Sequence, residues 1–130
     1  MHFTCVGLKG QRSSGVMELL EDVVVTQEDL KITSNTATIY FDQKTNETTK
    51  VMAKGNVKIF KIDEGTGEKI KAHANQAVFH NDGRKIILKG NARLWRGPDL
   101  VRGKQIIYEL DSGWIRASRV EGVVQPGEGK

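Results

Sequence analysis

Residues 30–39 read LKITSNTATI and residues 70–79 read IKAHANQAVF, and these two matching stretches decide the fold class. In both, apolar and polar residues alternate with the two-residue period of a β-strand that buries one face. A short segment of small and polar residues, 34–36 in the first copy and 74–76 in the second, falls at the same place in each. The pattern predicts two equivalent strands, each with a bend near its middle.

A second motif lies between and after these copies. Residues 53–59 read AKGNVKI and recur as LKGNARL at residues 88–94, and a weaker copy of the first motif reads GKQIIY at residues 103–108. Glycine at a corner relieves the steric cost of turning a strand. Units of this kind bury their apolar faces only by stacking on one another. The repeats therefore predict an all-β protein, an open twisted β-jellyroll or V-shaped antiparallel sandwich.

Turn-forming residues separate the alternating windows and set the expected domain organisation. Gly, Asn, Asp and Pro cluster where the chain is expected to reverse direction. We expect a meander of about a dozen short strands in one domain over residues 1–124, followed by a flexible tail over residues 125–130. The predicted turns are residues 43–47, 64–67, 81–83, 96–99 and 111–113.

Charge is distributed unevenly along this chain of 130 residues with a formal net charge of +4. Residues 16–30 contain five acids and no base, whereas residues 83–120 contain nine bases and three acids. A basic balance fits an anionic partner, and it fits a soluble basic protein equally well. For nucleic acid, aromatic residues would have to interleave with the basic ones. Trp95, Tyr108 and Trp114 are too sparse for this, so we expect no nucleic-acid partner and keep a basic nucleic-acid-binding β module only as an alternative from another class.

Catalytic and metal-binding chemistry finds no support in the sequence. The histidines are His2, His73 and His80, and the odd separation of the last two would put them on opposite faces of one strand. No phosphate-binding loop, dinucleotide fingerprint or nucleophile elbow is present. The single Cys5 excludes an intrachain disulfide and is expected to be a small buried strand residue. We therefore expect no enzyme activity, no catalytic residue, no metal and no cofactor.

The location of the protein stays open at the level of residue patterns. No stretch approaches the roughly 20 apolar residues of a membrane span. The first three residues lack the basic and apolar regions of a signal peptide. The chain is therefore either cytosolic or a processed form.

Six segments between Phe3 and Val124 are considered together: residues 23–27, 30–32, 55–57, 72–77, 88–92 and 101–108. Taken in order, they resemble the OstA-like family of lipopolysaccharide-transport proteins. No single segment is distinctive, but their order and spacing match with few implied insertions. The resemblance implies a periplasmic jellyroll that stacks head to tail as a homo-oligomer and shields lipid A acyl chains on the way from the inner to the outer membrane.

The same resemblance implies three kinds of partner: lipopolysaccharide through its lipid A, an inner-membrane-anchored relative and an outer-membrane relative. It leaves open whether the chain is the soluble carrier or an OstA-like domain of the anchored partner or of the outer-membrane translocon. Independently of the family, terminal strands with unpaired backbone groups predict self-association, which we expect to involve residues 106–110.

Strand alternation within each repeat gives the candidate lipid-binding residues of the interior groove. Acyl chains can cover apolar area there at roughly 25 cal/mol per Å². The alternative is that these inward residues only fill the core of the sandwich. The candidates are Phe3 and Val25 near the entering edge, and Leu30, Ile32, Ile39, Phe60, Ala77, Phe79, Leu88, Leu94, Ile106 and Tyr108.

Overall fold

The computed structural model describes residues 2–11, 14–62, 67–118 and 121–123, and the tail expected at residues 125–130 lies outside them. Within the described part of the chain, no helix is long and apolar enough to cross a membrane. The strands are β1 (His2–Thr4), β2 (Gly7–Gln11), β3 (Val16–Gln27), β4 (Leu30–Phe41), β5 (Thr48–Ile62), β6 (Lys69–His80), β7 (Lys85–Arg96), β8 (Asp99–Glu109), β9 (Ile115–Ser118) and β10 (Glu121–Val123).

All ten of these strands belong to one antiparallel sheet. Its order is β1-β3-β4-β5-β6-β7-β8-β10, with β2 also paired to β3 and β9 also paired to β8. The expected all-β, open twisted jellyroll is confirmed. The expectation of about a dozen short strands is wrong, because six of the strands are 11 to 15 residues long. Their central bends change the direction of a strand without ending it.

A line of register shifts crosses the sheet at these bends. The pairing shifts after Leu20, Thr33, Lys54, His73 and Lys89 in successive strand pairs. We call this the corner line. It divides the sheet into a first leaf and a second leaf whose inner faces share one apolar core. The first leaf comprises residues 7–11, 16–20, 36–41, 48–54, 76–80, 85–89, 105–109 and 115–118, and the second comprises residues 2–4, 23–27, 30–33, 57–62, 69–73, 92–96, 99–103 and 121–123.

The repeated Gly-Asn motif forms the corner line in β5 and β7. Gly55 and Gly90 have φ of +83° and +78°, and the asparagine after each is also left-handed. A Cβ on Gly55 would lie 2.7 Å from Asn35 Nδ2, and one on Gly90 would lie 2.8 Å from Asn75 Nδ2. The sequence repeats are therefore structural repeats, in which an asparagine of one strand packs on the glycine of the next.

The corner line also changes which residues of a strand face inward. In β4 the buried residues are Leu30, Ile32 and Ser34 before the bend, and Ala37 and Ile39 after it. The extra residue of a bulge restores the inward direction of the apolar side chains after the change of leaf. Each long strand therefore contributes apolar side chains to the inner faces of both leaves.

The turns farthest from the corner line bring the two leaves together again, along a contact that we call the tip seam. Gln27 Nε2 donates to Asn81 Oδ1 at 3.4 Å, and Arg96 Nη1 donates to the carbonyl oxygen of Gly113 at 2.9 Å. Arg84 lies between two acids, 2.9 Å from Asp111 and 3.3 Å from Glu28. The hydrogen bond to Asp111 is the main cause that raises the pKa of Arg84 above its ordinary value.

Candidate functional site

The inner faces of the two leaves hold most of the predicted lipid-binding residues. Ten of the twelve belong to the shared core and are at most 6% exposed. Phe3 is half-buried and packs against that core from β1. The structure brings these eleven residues onto one continuous apolar surface. The ten buried ones are Val25, Leu30, Ile32, Ile39, Ala77, Phe79, Leu88, Leu94, Ile106 and Tyr108.

Phe60 is the exception, and its placement on the inner face was wrong. Its neighbours Ile59 and Lys61 are buried on the inner side, so Phe60 points to the outer face of the second leaf. The prediction failed because Lys61 occupies the inward position next to Phe60, where its Nζ lies 3.6 Å from Asp29 Oδ2. A buried lysine at an inward position makes the apolar side of β5 ambiguous in the sequence.

Sequence reasoning also missed several core residues that the register places beside the predicted ones. Val51 lies directly between Ile39 and Phe79, and Ile86 lies beside Phe79. Applying the same alternation to β5 and β7 would have found these two. The missed inner-face residues are Leu19, Val23, Ala37, Val51, Ala53, Val57, Ile59, Ile70, Ala72, Ala74, Ile86, Ala92 and Leu110.

The space between the leaves is almost filled by these side chains. An apolar cleft there has a volume of only about 10 Å³ and is lined from both leaves, by residues that include Leu30 and Ile59 on one side and Leu88 and Tyr108 on the other. About one water molecule fits in such a volume. A ligand as thick as an acyl chain therefore fits only if the leaves separate. Among the described residues, no backbone hydrogen bond joins the leaves at the tip seam.

A much larger opening, about 980 Å³, lies on the outer face of the second leaf. We call it the outer groove. Phe60 and Trp95 lie on its floor, and the His73 ring meets the Trp95 ring edge-on with centroids 6.4 Å apart. Lysines surround these rings. The groove is lined by Lys31, Thr33, Lys58, Ile59, Phe60, Gly67, Glu68, Lys69, Lys71, Ala72, His73, Trp95 and Gly97.

His73 lies on the second leaf and His80 on the first. The prediction that they face opposite sides of one strand was wrong. Both lie on the outer side of β6, because the bend at residues 74–75 shifts the alternation. Burial, together with Lys85 and Lys50, lowers the pKa of His80 below its ordinary value. No group of three or more potential metal ligands occurs among the described residues.

Cys5 is half-buried between β1 and β2, against the core, rather than buried within a strand.

Both ends of the folded sheet have unpaired strand edges. β1 and β2 form one end, and β9 and β10 form the other. The expectation that residues 106–110 form an edge was wrong, because β8 pairs with β7 on one side and with β9 on the other. Exposed apolar side chains mark both ends, Val6 and Leu8 at the first and Trp114 at the second.

Comparison with known proteins identifies this folded sheet. A family model described as "LptA/(LptD N-terminal domain) LPS transport protein" matches residues 8–114, most of the chain. The chain belongs to this family. The match confirms the resemblance inferred from the sequence and makes the chain a relative of transport proteins rather than of a family of enzymes. No curated protein matches the sequence significantly.

A solved structure shares the whole fold. It is LptH, the LptA-homologous periplasmic component of the conserved lipopolysaccharide transport device of Pseudomonas aeruginosa. The TM-score is 0.88 over 96% of this chain and 94% of that one, with 20% sequence identity. At this identity the likeness concerns the fold alone.

Proposed function

We propose that the protein is a periplasmic component of the lipopolysaccharide-transport bridge and that it holds lipid A acyl chains between its two leaves. The observation that carries the proposal is the continuous apolar core on the inner faces, in a chain of the lipopolysaccharide-transport family. The periplasmic location is inferred from the likeness to LptH, a periplasmic component of that transport device. The interior residues that would contact the acyl chains are the eleven predicted residues found on the inner faces.

The physical basis of binding is the exchange of one apolar contact for another. Acyl chains between the leaves would contact side chains such as Phe79 and Leu88, which otherwise contact the opposite leaf. Opening the leaves in water exposes apolar area at a cost of roughly 25 cal/mol per Å², and an acyl chain offsets that cost by covering the same area. Since such contacts depend on area rather than on hydrogen-bond geometry, a chain can slide from one position to the next.

Photocrosslinking tests this proposal directly. A photoreactive amino acid at Ile32 or Phe79, both on the inner faces, should become attached to lipopolysaccharide. The matched control is Met52, an apolar residue on the outer face that pairs with Val78 and not with the core. Labelling of the inner positions alone supports the proposal, and equal labelling at Met52 would contradict an interior path.

We further propose that copies of the chain stack head to tail and that the membrane-bound relatives join the two ends of the stack. The acids Glu18, Glu21 and Asp22 lie on β3 at one end of the sheet, and Arg102 and Arg116 lie on β8 and β9 at the other. A head-to-tail contact therefore brings unlike charges together, whereas a two-fold contact pairs like with like. Main-chain pairing between the edges of β2 and β9 would extend the sheet.

Sedimentation over a wide concentration range tests the stacking. Wild-type protein should form oligomers without a fixed size, and added salt should shorten them because it screens exposed charges. The variant Gly7→Pro removes an outward-facing backbone donor from the edge strand β2 and should lower the oligomer size. A strict monomer at high concentration, or a closed dimer unaffected by this variant, would contradict head-to-tail stacking.

A further inference from the structure

Two rows of aligned side chains lie on the outer face of the second leaf. The first begins in the outer groove and continues beyond it, and the second lies within it. In the first row Lys58, His73, Arg93 and Arg102 lie directly opposite one another on β5 to β8. With adjacent strands about 4.8 Å apart, these four span about 14 Å. The second row contains, in order from β4 to β7, Lys31, Phe60, Lys71 and Trp95.

The charge of the groove points to an anionic ligand. Among the described residues lining the groove, four lysines are accompanied by the single acid Glu68. An anionic ligand would neutralise the excess positive charge. The aromatic floor adds a second requirement, because Phe60 and Trp95 offer apolar ring faces that phosphate alone cannot cover.

The groove's position narrows the choice of ligand. It extends from the first row to the turns at residues 67–69 and to Gly97, at the tip of the second leaf. The neighbouring Arg96 donates across the tip seam to Gly113. From that tip to Lys58 is about three residues of strand, or roughly 10 Å. A molecule whose acyl chains lie between the leaves therefore reaches the groove as soon as its polar part passes out through the seam.

We propose that the outer groove binds the phosphorylated saccharide of the lipopolysaccharide whose acyl chains lie between the leaves, an inference that rests on the proposed function. The lysine ammonium groups pair with phosphates, for which they act as point charges. The ring faces of Phe60 and Trp95 cover the apolar faces of sugar rings. The lipid thus folds over the tip of the second leaf, with its acyl chains inside and its saccharide outside.

The test uses the phosphorylated oligosaccharide obtained by complete deacylation of lipopolysaccharide. Binding is followed by tryptophan fluorescence in full-length protein carrying Trp114→Phe, so that Trp95 is the only reporter. The test variant is Lys31→Gln with Lys71→Gln. The matched control is Lys54→Gln with Lys89→Gln, two lysines that are also exposed and also separated by one strand in a row, but on the outer face of the first leaf.

We expect the test variant to bind the oligosaccharide roughly tenfold more weakly, the combined effect of two exposed ion pairs, and the control to bind like wild type. Removing the phosphates from the oligosaccharide should weaken binding to wild type by a similar factor. An equal loss in both variants, or no binding by wild type, would overturn the inference. The inference would also be overturned if a single-stranded oligonucleotide of equal charge bound wild type as tightly and lost as much affinity in the test variant. The groove would then be a nucleic-acid surface.

Labelling of Phe79 by intact lipopolysaccharide separates this inference from the function on which it rests. If Phe79 is labelled but the oligosaccharide does not bind, only the outer groove is misassigned. If Phe79 is not labelled in wild type, the proposed function itself fails. The test variant should still be labelled at Phe79, because its substitutions lie on the outer face.

Discussion

The corner line and the tip seam join the same two leaves in different ways. At the corner line every long strand continues from one leaf to the other, and Asn35 and Asn75 pack tightly on Gly55 and Gly90. At the tip seam the leaves are joined by hydrogen bonds and an ion pair such as Arg84–Glu28. Exposed pairs of this kind contribute about 0–1 kcal/mol each. If the leaves separate, we therefore expect the corner line to act as the hinge and the tip seam to open.

The largest effect is expected for the packing between hinge and seam. Phe79→Ala should lower the free energy of unfolding by about 3–5 kcal/mol, because it leaves a cavity between the leaves. Phe60→Ala is the matched control, since Phe60 is half-buried on the outer face, and it should cost less than about 1.5 kcal/mol. Urea denaturation measures both. Equal losses would show that the two faces are not distinguished as described.

A smaller loss is expected at the hinge itself. Gly55→Ala places a side chain at a φ of +83° and 2.7 Å from Asn35 Nδ2. The left-handed conformation alone costs about 1–2 kcal/mol, and the close contact should bring the total to about 2–3 kcal/mol. Gly83→Ala is the control, with a φ of +81° and open space around it. If both variants lose the same stability in urea, Asn35 does not restrain the hinge.

The sequence predicted the hinge well because its residues recur. The Gly-Asn pairs at residues 55–56 and 90–91 stand out when the chain is compared with itself, and alternation assigned eleven of twelve inner-face residues to the correct side. The single error, Phe60, arose where Lys61 occupies an inward position through its ion pair with Asp29. An ion pair between residues distant in sequence has no local signature.

Sequence patterns could not predict the tip seam or the outer groove, because both depend on residues that are distant in the sequence. Asn81 and Gln27 are 54 residues apart in the chain, and their contact depends on how sharply the sheet bends. Likewise, the row of basic residues that begins in the outer groove appears only once four strands are aligned in register. The basic excess of residues 83–120 was visible in the sequence, but the alignment of basic residues across strands was not.

Weakening the seam should cost little stability and favour opening. Arg84→Gln removes the ion pairs to Glu28 and Asp111, and we expect a loss of at most about 1 kcal/mol. Labelling of Phe79 by lipopolysaccharide should become faster. Lys89→Gln, which also removes one positive charge from the exposed outer face of the first leaf but lies away from the seam, is the control. Slower labelling of the Arg84 variant would contradict opening at this side.

The smallest effect concerns pH. The pKa of His80 is lower in the folded protein than its ordinary value of 6.5, mainly through burial. The unfolded chain therefore binds a proton more readily, so this contribution to stability is complete above the unfolded pKa and decreases as pH falls toward the folded pKa. The unfolding free energies of wild type and His80→Gln can be compared at about pH 7.5 and about pH 5. On going to the lower pH, wild type should lose slightly more stability than the variant. A shift in the other direction would contradict the lowered pKa.

A clamp across the tip seam tests most directly whether acyl chains enter between the leaves. In a Cys5→Ser background, Gln27→Cys and Asn81→Cys are joined by a short, reducible bismaleimide, since the two side chains are in contact at 3.4 Å. The control joins Lys50→Cys to His80→Cys, which pair within the first leaf. We predict that the clamp abolishes photolabelling of Phe79 by lipopolysaccharide, that reduction restores it and that the control is labelled throughout. Full labelling of the clamped protein would contradict the account.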